Sequence, residues 1–229
     1  MKITIIAAME QELTAIVNQI EHREYHQKLG FPVYEGTFNQ HHITVCQSGI
    51  GKVHAGIRTA LMLHDYNPEW IINVGSAGST HPEVQIHDLI LGSHFSYFDV
   101  DVTHFGYDYG QLPEGMPLHY HSDYHFNEQL HKSAQQHRIP LQQGLIVSGD
   151  QFVANLQQTE HIHSRFTAPY AIDMESCAIA QTCYMHNTPF SVLRAVSDHA
   201  NQDSPVKFYE FLDKISDQYS KIIFQALNQ

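Results

Sequence analysis

The stretch Trp70-Ile71-Ile72-Asn73-Val74-Gly75-Ser76-Ala77-Gly78 decides the fold of this 229-residue chain. Its first half is apolar and β-branched with no polar face, as in a strand buried on both sides. Its second half is small, as at a strand end where backbone comes close to a ligand. The same sentence is written elsewhere. Lys2 to Ala8 is an apolar β-branched run, and Phe190 to Val196 is another. Val33 to Phe38 and His42 to Cys46 read as strands about the polar turn Asn39-Gln40. Asp88 to Ser96, Leu145 to Val147 and Tyr170 to Met174 read as further strands.

Between them the apolar period lengthens to that of helices. Leu13, Ile16, Val17 and Ile20 follow the first strand, and Val53, Ile57, Ala60 and Leu61 follow Gly51. Helices are predicted over Ser122 to His137, Thr159 to Phe166 and Glu175 to His186. Asp203-Ser204-Pro205 carries an N-cap signal. Phe208, Phe211, Leu212, Ile215, Tyr219, Ile222, Ile223 and Ala226 then mark a long last helix. Strand and helix alternate from end to end, which predicts an α/β domain with a largely parallel, two-sided sheet. No linker or repeat divides the chain, so residues 1–229 are read as one domain. Residues 99 to 121, rich in Gly, Pro, Tyr and His, read as a long functional loop that packs.

Composition narrows the function. The chain has 12 Lys and Arg against 24 Asp and Glu, net −12 with His neutral. Scattered cations on an acidic chain do not make a nucleic-acid surface. No apolar run approaches the ~20 residues of a membrane span. Ile3 to Met9 is short and runs into Glu10 and Glu12, unlike a signal peptide. Cys46, Cys177 and Cys183 are an odd number without metal-ligand spacing, which points to a reducing cytoplasm. The 19 histidines outnumber Lys and Arg together, and protonating all of them would reverse the sign of the net charge. His119 and His121 have strand spacing and His121 and His125 helical spacing, but no metal-binding pattern occurs. The excess is therefore read as a surface trait, with no metal and no cofactor expected.

In open α/β sheets ligands bind beyond the carboxyl ends of strands. Glu12, Gly49 and Gly51, Gly75 to Gly78, Ser148-Gly149-Asp150, Asp173-Met174-Glu175 and Ser197-Asp198 all fall at such ends. No turn matches the dinucleotide or P-loop pattern. A glycine or a carboxylate at a single strand end needs only backbone freedom or a helix dipole to explain it. Glu12, Glu175 and Asp198 together at successive ends suggest acid–base chemistry. Arg194 lies inside an apolar strand, and a buried guanidinium must be paired. Asp198 or Glu175 is its expected partner.

These residues carry a resemblance. The segments Ala8-Met9-Glu10-Gln11-Glu12, Ser48-Gly49-Ile50-Gly51-Lys52-Val53, Asn73 to Gly78, Phe105 to Pro113, Gly144 to Asp150, Asp173-Met174-Glu175 and Arg194 to Asp198 resemble, in order, those of the bacterial 5′-methylthioadenosine/S-adenosylhomocysteine nucleosidases of the nucleoside phosphorylase superfamily. They reach from residue 1 to about residue 212. The resemblance implies a three-layer α/β/α sandwich around a twisted mixed sheet. It implies hydrolysis of the adenine–ribose N-glycosidic bond in both nucleosides, with 5′-deoxyadenosine as a further substrate.

It also implies roles. Asp198 is the general acid at purine N7, Glu12 the general base on water, and Glu175 the acceptor of ribose hydroxyls. Ser76, Ser197 and Arg194 hold the water, ribose and carboxylates in register. Phe152 stacks on adenine while the backbone of Phe152 and Val153 reads its edge. Met174 lies under the ribose. Met9, Ile50 and Phe208 line the 5′-alkylthio pocket, which Phe105, Tyr107 and Pro113 of a partner subunit close in a homodimer. The chain departs from the family pattern at Phe98 and Val100, at Asp173 where Glu is usual, and at Gln151 and Val153.

Two rivals share the superfamily. A phosphate-dependent purine nucleoside phosphorylase needs cations at its Gly-rich turns. Here the first turn carries Glu10 and Glu12, and only Lys52 stands near another. Aminodeoxyfutalosine hydrolysis cleaves the same adenine–ribose bond. A non-catalytic nucleoside binder would have no need of a general base.

Overall fold

The computed structural model describes residues 1–198 and 208–228, with the side chains of residues 208–210 outside that description. Among the described residues ten strands form one sheet. They are β1 (Lys2–Ala7), β2 (Glu21–Lys28), β3 (Phe31–Phe38), β4 (His41–Gln47), β5 (Trp70–Gly78), β6 (Leu89–Tyr97), β7 (Tyr120–His121), β8 (Leu141–Ser148), β9 (Ala171–Asp173) and β10 (Phe190–Asp198). The helices are α1 (Thr14–Val17), α2 (Lys52–Tyr66), α3 (Tyr124–Gln136), α4 (Leu156–Arg165), α5 (Ser176–His186) and α6 (Phe208–Ala226).

The Trp70 strand is the hub. β5 runs parallel to β1 from Trp70 to Asn73 and parallel to β10 from Ile71 to Gly78. β1 continues the sheet through parallel β4 to the antiparallel strands β3 and β2. On the other side β10 pairs antiparallel with β6, β6 parallel with β8, and β8 parallel with β9. Ile172 of β9 then meets Gly78 of β5, so five strands close on themselves. The sheet is mixed, and the expectation of a largely parallel one is corrected. The antiparallel strand β2 and the two-residue β7 account for part of the difference.

Alternation along the hub strands makes the layers. Ile3, Ile5 and Ala7 of β1, Trp70, Ile72 and Val74 of β5, and Leu193 and Ala195 of β10 pack under α1, α3 and α6. Ile6, Ile71, Val192 and Val196 pack on the opposite face with α2 and α5. The three-layer expectation holds. α4 sits over a separate cluster formed by Leu145, Val147, Val153, Ile162, Phe166 and Ile172.

Local differences have physical reasons. β2 has no buried residue over Glu21–Gln27, so its hydrophobic pattern is silent. The spacing from Leu13 to Ile20 yields only a 3₁₀ turn (Glu10–Leu13) and the single turn α1. The stripe expected to bury α2 instead leaves Val53 69% and Ile57 53% exposed, while Ala55, Thr59 and Met62 face the core. The loop from 99 to 119 contains one 3₁₀ turn (Thr103–Phe105). Most described histidines are exposed, and only His41 is buried. The Asp203-Ser204-Pro205 signal lies outside the described residues.

Candidate active site

Glu12 is buried, 1% exposed, just past the end of β1. It sits three residues after Met9, so its carboxylate reaches back over the 3₁₀ turn and accepts the Met9 N–H at 3.0 Å. Its other oxygen accepts the N–H and the hydroxyl of Ser76 at 2.9 and 3.2 Å. Burial pushes its pKa up, opposed by these hydrogen bonds and by the Arg194 charge. Gly75 leaves little room for a side chain. A Cβ there would lie 3.3 Å from Arg194 Nη1 and 3.4 Å from Glu12 Oε1.

Glu175 precedes α5 and is also buried. It accepts the Gly51 N–H at 2.9 Å, across 124 residues of chain. Gly51 has φ +95°, a backbone state that favours glycine. Burial, then the neighbouring Asp173 carboxylate, push the Glu175 pKa up to about 7.

Arg194 lies in mid-β10, fully enclosed. Its expected partner is corrected. Its Nε donates to Asp173 Oδ2 at 2.7 Å, both side chains 1% exposed. Nη2 donates to Asn73 Oδ1, and Nη1 to the Leu193 carbonyl. The reading of the sequence missed Asp173 and Asn73 as members of the site. The only signal for Asn73 is a polar residue inside an apolar strand.

Asp198 ends β10 in register with Gly78, two residues beyond Ser76 on β5, about 7 Å along the strand. It accepts the Ser197 hydroxyl at 2.7 Å, and the Ala77 carbonyl lies 3.3 Å from that hydroxyl as an alternative acceptor. β5 thus ties the Glu12 end of the site to the Asp198 end.

The pocket residues are less uniform. Met9 and Met174 are half-buried and Val153 is buried, whereas Ile50 is 53% and Phe152 70% exposed. Phe105 is 76% exposed, and Tyr107 and Pro113 are half-buried on the long loop. Phe208 opens α6, and its side chain is outside the described residues. Lys52 is spoken for. Its ammonium bonds both oxygens of Asp99 at 2.8 and 2.7 Å, and its N–H bonds Asp150.

Elsewhere, a cavity of about 410 Å³ opens at the start of β1, lined by Thr4, Glu24, Glu35 and Asp65, and none of the predicted site residues lines it. The rings of His119, just before β7, and of His121 on β7 both stand against that of His94 on β6. Among the described residues no three His, Cys, Asp or Glu are arranged to hold a metal ion.

Comparison with known proteins is consistent along the whole chain. Residues 2–228 match the model of the phosphorylase superfamily. A 5′-methylthioadenosine/S-adenosylhomocysteine nucleosidase of Staphylococcus aureus is 38% identical over 227 residues, 99% of each chain. Among solved structures, the nucleosidase of the same name from Neisseria meningitidis, in complex with methylthio-immucillin-A, superposes with a TM-score of 0.93. It is 35% identical, with 99% of this chain and 98% of that one covered. A futalosine hydrolase mutant of Helicobacter pylori superposes with a TM-score of 0.92 at 29% identity, over 99% and 98% of the chains.

Proposed function

This chain belongs to the phosphorylase superfamily and, within it, to the 5′-methylthioadenosine/S-adenosylhomocysteine nucleosidases, and from that premise we propose how its own residues carry the reaction. The enzyme is a hydrolase that cleaves the N-glycosidic bond of these nucleosides, releasing adenine and the 5-thio-substituted ribose. Glu12 takes a proton from the attacking water. A buried carboxylate with a raised pKa is a stronger base than an exposed one. Asp198 donates a proton to purine N7, so that neutral adenine leaves. Glu175 accepts the ribose hydroxyls, bonds that tighten as positive charge grows on the sugar. Ser76 and Ser197 hold Glu12 and Asp198 in place. Met174 lies under the ribose, Phe152 stacks on the base, and the Phe152–Val153 backbone reads its edge. Met9, Ile50 and Phe208 receive the 5′-alkylthio group.

Water, not phosphate, is the nucleophile, and one observation carries that choice. Among the described residues the two cations near the site are already neutralised, Lys52 by Asp99 and Arg194 by Asp173. A phosphate would meet the Glu12 carboxylate with no cation among those residues left to pair it. Adenine release from 5′-methylthioadenosine, followed with and without phosphate, tests this. Equal rates are expected, and loss of at least about a hundredfold in Glu12→Gln. A strict need for phosphate, or full turnover by Glu12→Gln, defeats the reading. Hydrolysis of aminodeoxyfutalosine by the same residues is a second reading, favoured by the likeness to the futalosine hydrolase.

The working unit is a homodimer in which Phe105, Tyr107 and Pro113 close the partner's pocket. Exposed Phe105, Ile50, Val53 and Ile57 support this, since large apolar side chains left in water usually mark an interface. The cytoplasm is the proposed compartment, supported by the three free cysteines Cys46, Cys177 and Cys183. Among the described residues no helix is long and apolar enough to cross a membrane.

A further inference from the structure

Asp173 is the most heavily bonded carboxylate near the site, yet no catalytic step uses it. One oxygen accepts the Ser148 hydroxyl and the backbone N–H groups of Glu175 and Ser176. The other accepts Arg194 Nε and the Ser176 hydroxyl. One buried side chain therefore grips three elements: the end of β8, the first turn of α5, and mid-β10. The Ser148 hydroxyl extends the grip by accepting the Cys177 N–H at 2.9 Å.

We propose that Asp173 is a positioning residue for the nucleosidase reaction, engaging the Arg194 guanidinium and anchoring the start of α5 so that Glu175 and Glu12 stay free to meet substrate and water. The proposal rests on the function assigned above. Its physics is a shortage of positive charge. Three carboxylates, Glu12, Asp173 and Glu175, lie buried around one guanidinium. A fixed guanidinium pairs with whichever carboxylate its neighbours hold in line. Here that is Asp173, with Asn73 holding the far nitrogen. Glu12 and Glu175 instead take neutral donors, the backbone N–H groups of Ser76, Met9 and Gly51.

Without the Asp173 charge, Arg194 would be uncompensated beside both glutamates. It would draw their protons off more readily and compete for their oxygens. The other titratable groups facing this knot are Cys177 of α5, Tyr219 of α6, and the Lys52–Asp99 pair with Asp150 by Gly51. Tyr219 donates to the Gly75 carbonyl, and the Lys52 charge is already paired.

The test is the pH–rate profile of adenine release from 5′-methylthioadenosine by the full chain. Asp173→Asn keeps the size but removes the charge and turns one of the two accepting oxygens into an NH2 donor. The acidic limb of its kcat/KM profile is expected about one pH unit lower than that of the wild type. Its kcat is expected to fall ten- to about a hundredfold, with KM within about threefold. Asp173→Glu restores the charge and is expected to return the limb to its wild-type position. A purely structural carboxylate would cost thermal stability without moving the limb. If Asp173→Asn is folded and its profile overlays the wild type, or if Asp173→Glu moves the limb as far as Asn does, the proposal fails. Should the Asn variant not fold, Ser148→Ala trims one bond to Asp173 and leaves every charge in place. A several-fold drop in kcat at unchanged KM is then expected, and unchanged kcat overturns the idea. Wild-type protein that releases no adenine would instead defeat the function, which separates the two failures.

Discussion

Glu175 is a carboxyl whose folded environment holds its proton to about pH 7, through burial first and Asp173 second. In the unfolded chain it titrates in the ordinary carboxylate range. Between those values the unfolded state binds fewer protons than the folded one, so stability falls as pH rises. The slope for one such group reaches at most about 1.4 kcal/mol per pH unit. Urea unfolding from about pH 5 to 7 should show the wild type losing stability relative to Glu175→Gln; parallel curves would contradict the assignment. At this scale the sequence was informative about residue type and poor about partner. A carboxylate mate for Arg194 was required by burial, and Asp198 or Glu175 was the expected one. Asp173 holds the guanidinium instead because it lies on β9, and β9 and β10 both pair with β5 at Gly78. That closure joins residues 21 apart through strands from the whole chain, and no spacing rule reports it.

Elements were legible in proportion to how much they bury. β1, β5, β10 and α6 write their burial into apolar runs and stripes, and the structure has them nearly where the pattern does. β2 pairs with β3 and carries charged, exposed residues, so backbone hydrogen bonds make it a strand where side-chain burial says nothing. α3 shows the opposite case. Its first turn is capped by Asp123, which accepts the Phe126 N–H at 3.0 Å. Asp123→Ala should lower unfolding free energy by about 1 kcal/mol, read from the urea midpoint at unchanged m-value. No measurable loss would mean that the packing of α3 on α6 holds the turn without its cap.

At the scale of the whole molecule the apolar stripe of α2 is the clearest case of a right pattern with an unexpected face. Val53 and Ile57 repeat at helical spacing, yet they point to solvent beside Ile50. Periodicity identifies a helix that must cover an apolar stripe; it does not say whether its own chain or a second copy does the covering. If a second copy covers it, Ile57→Asp should shift the sedimentation coefficient from dimer to monomer and reduce adenine release. A dimer that survives this change, or a wild-type monomer, would exclude that face. The histidines belong to this scale too. Most of the described ones are exposed, while burial holds His41, His94 and His119 below the usual imidazole value.

By itself the sequence determined the α/β class and the small, Gly-rich strand ends. It could do so because two-sided burial demands unbroken apolar strands, and a close backbone approach favours small residues. Tertiary structure alone decided the closed ring of β5, β10, β6, β8 and β9, the outward face of α2, and the capture of Arg194 by Asp173. Those outcomes depend on which strand lies beside which, and a one-dimensional period records a face but never its neighbour.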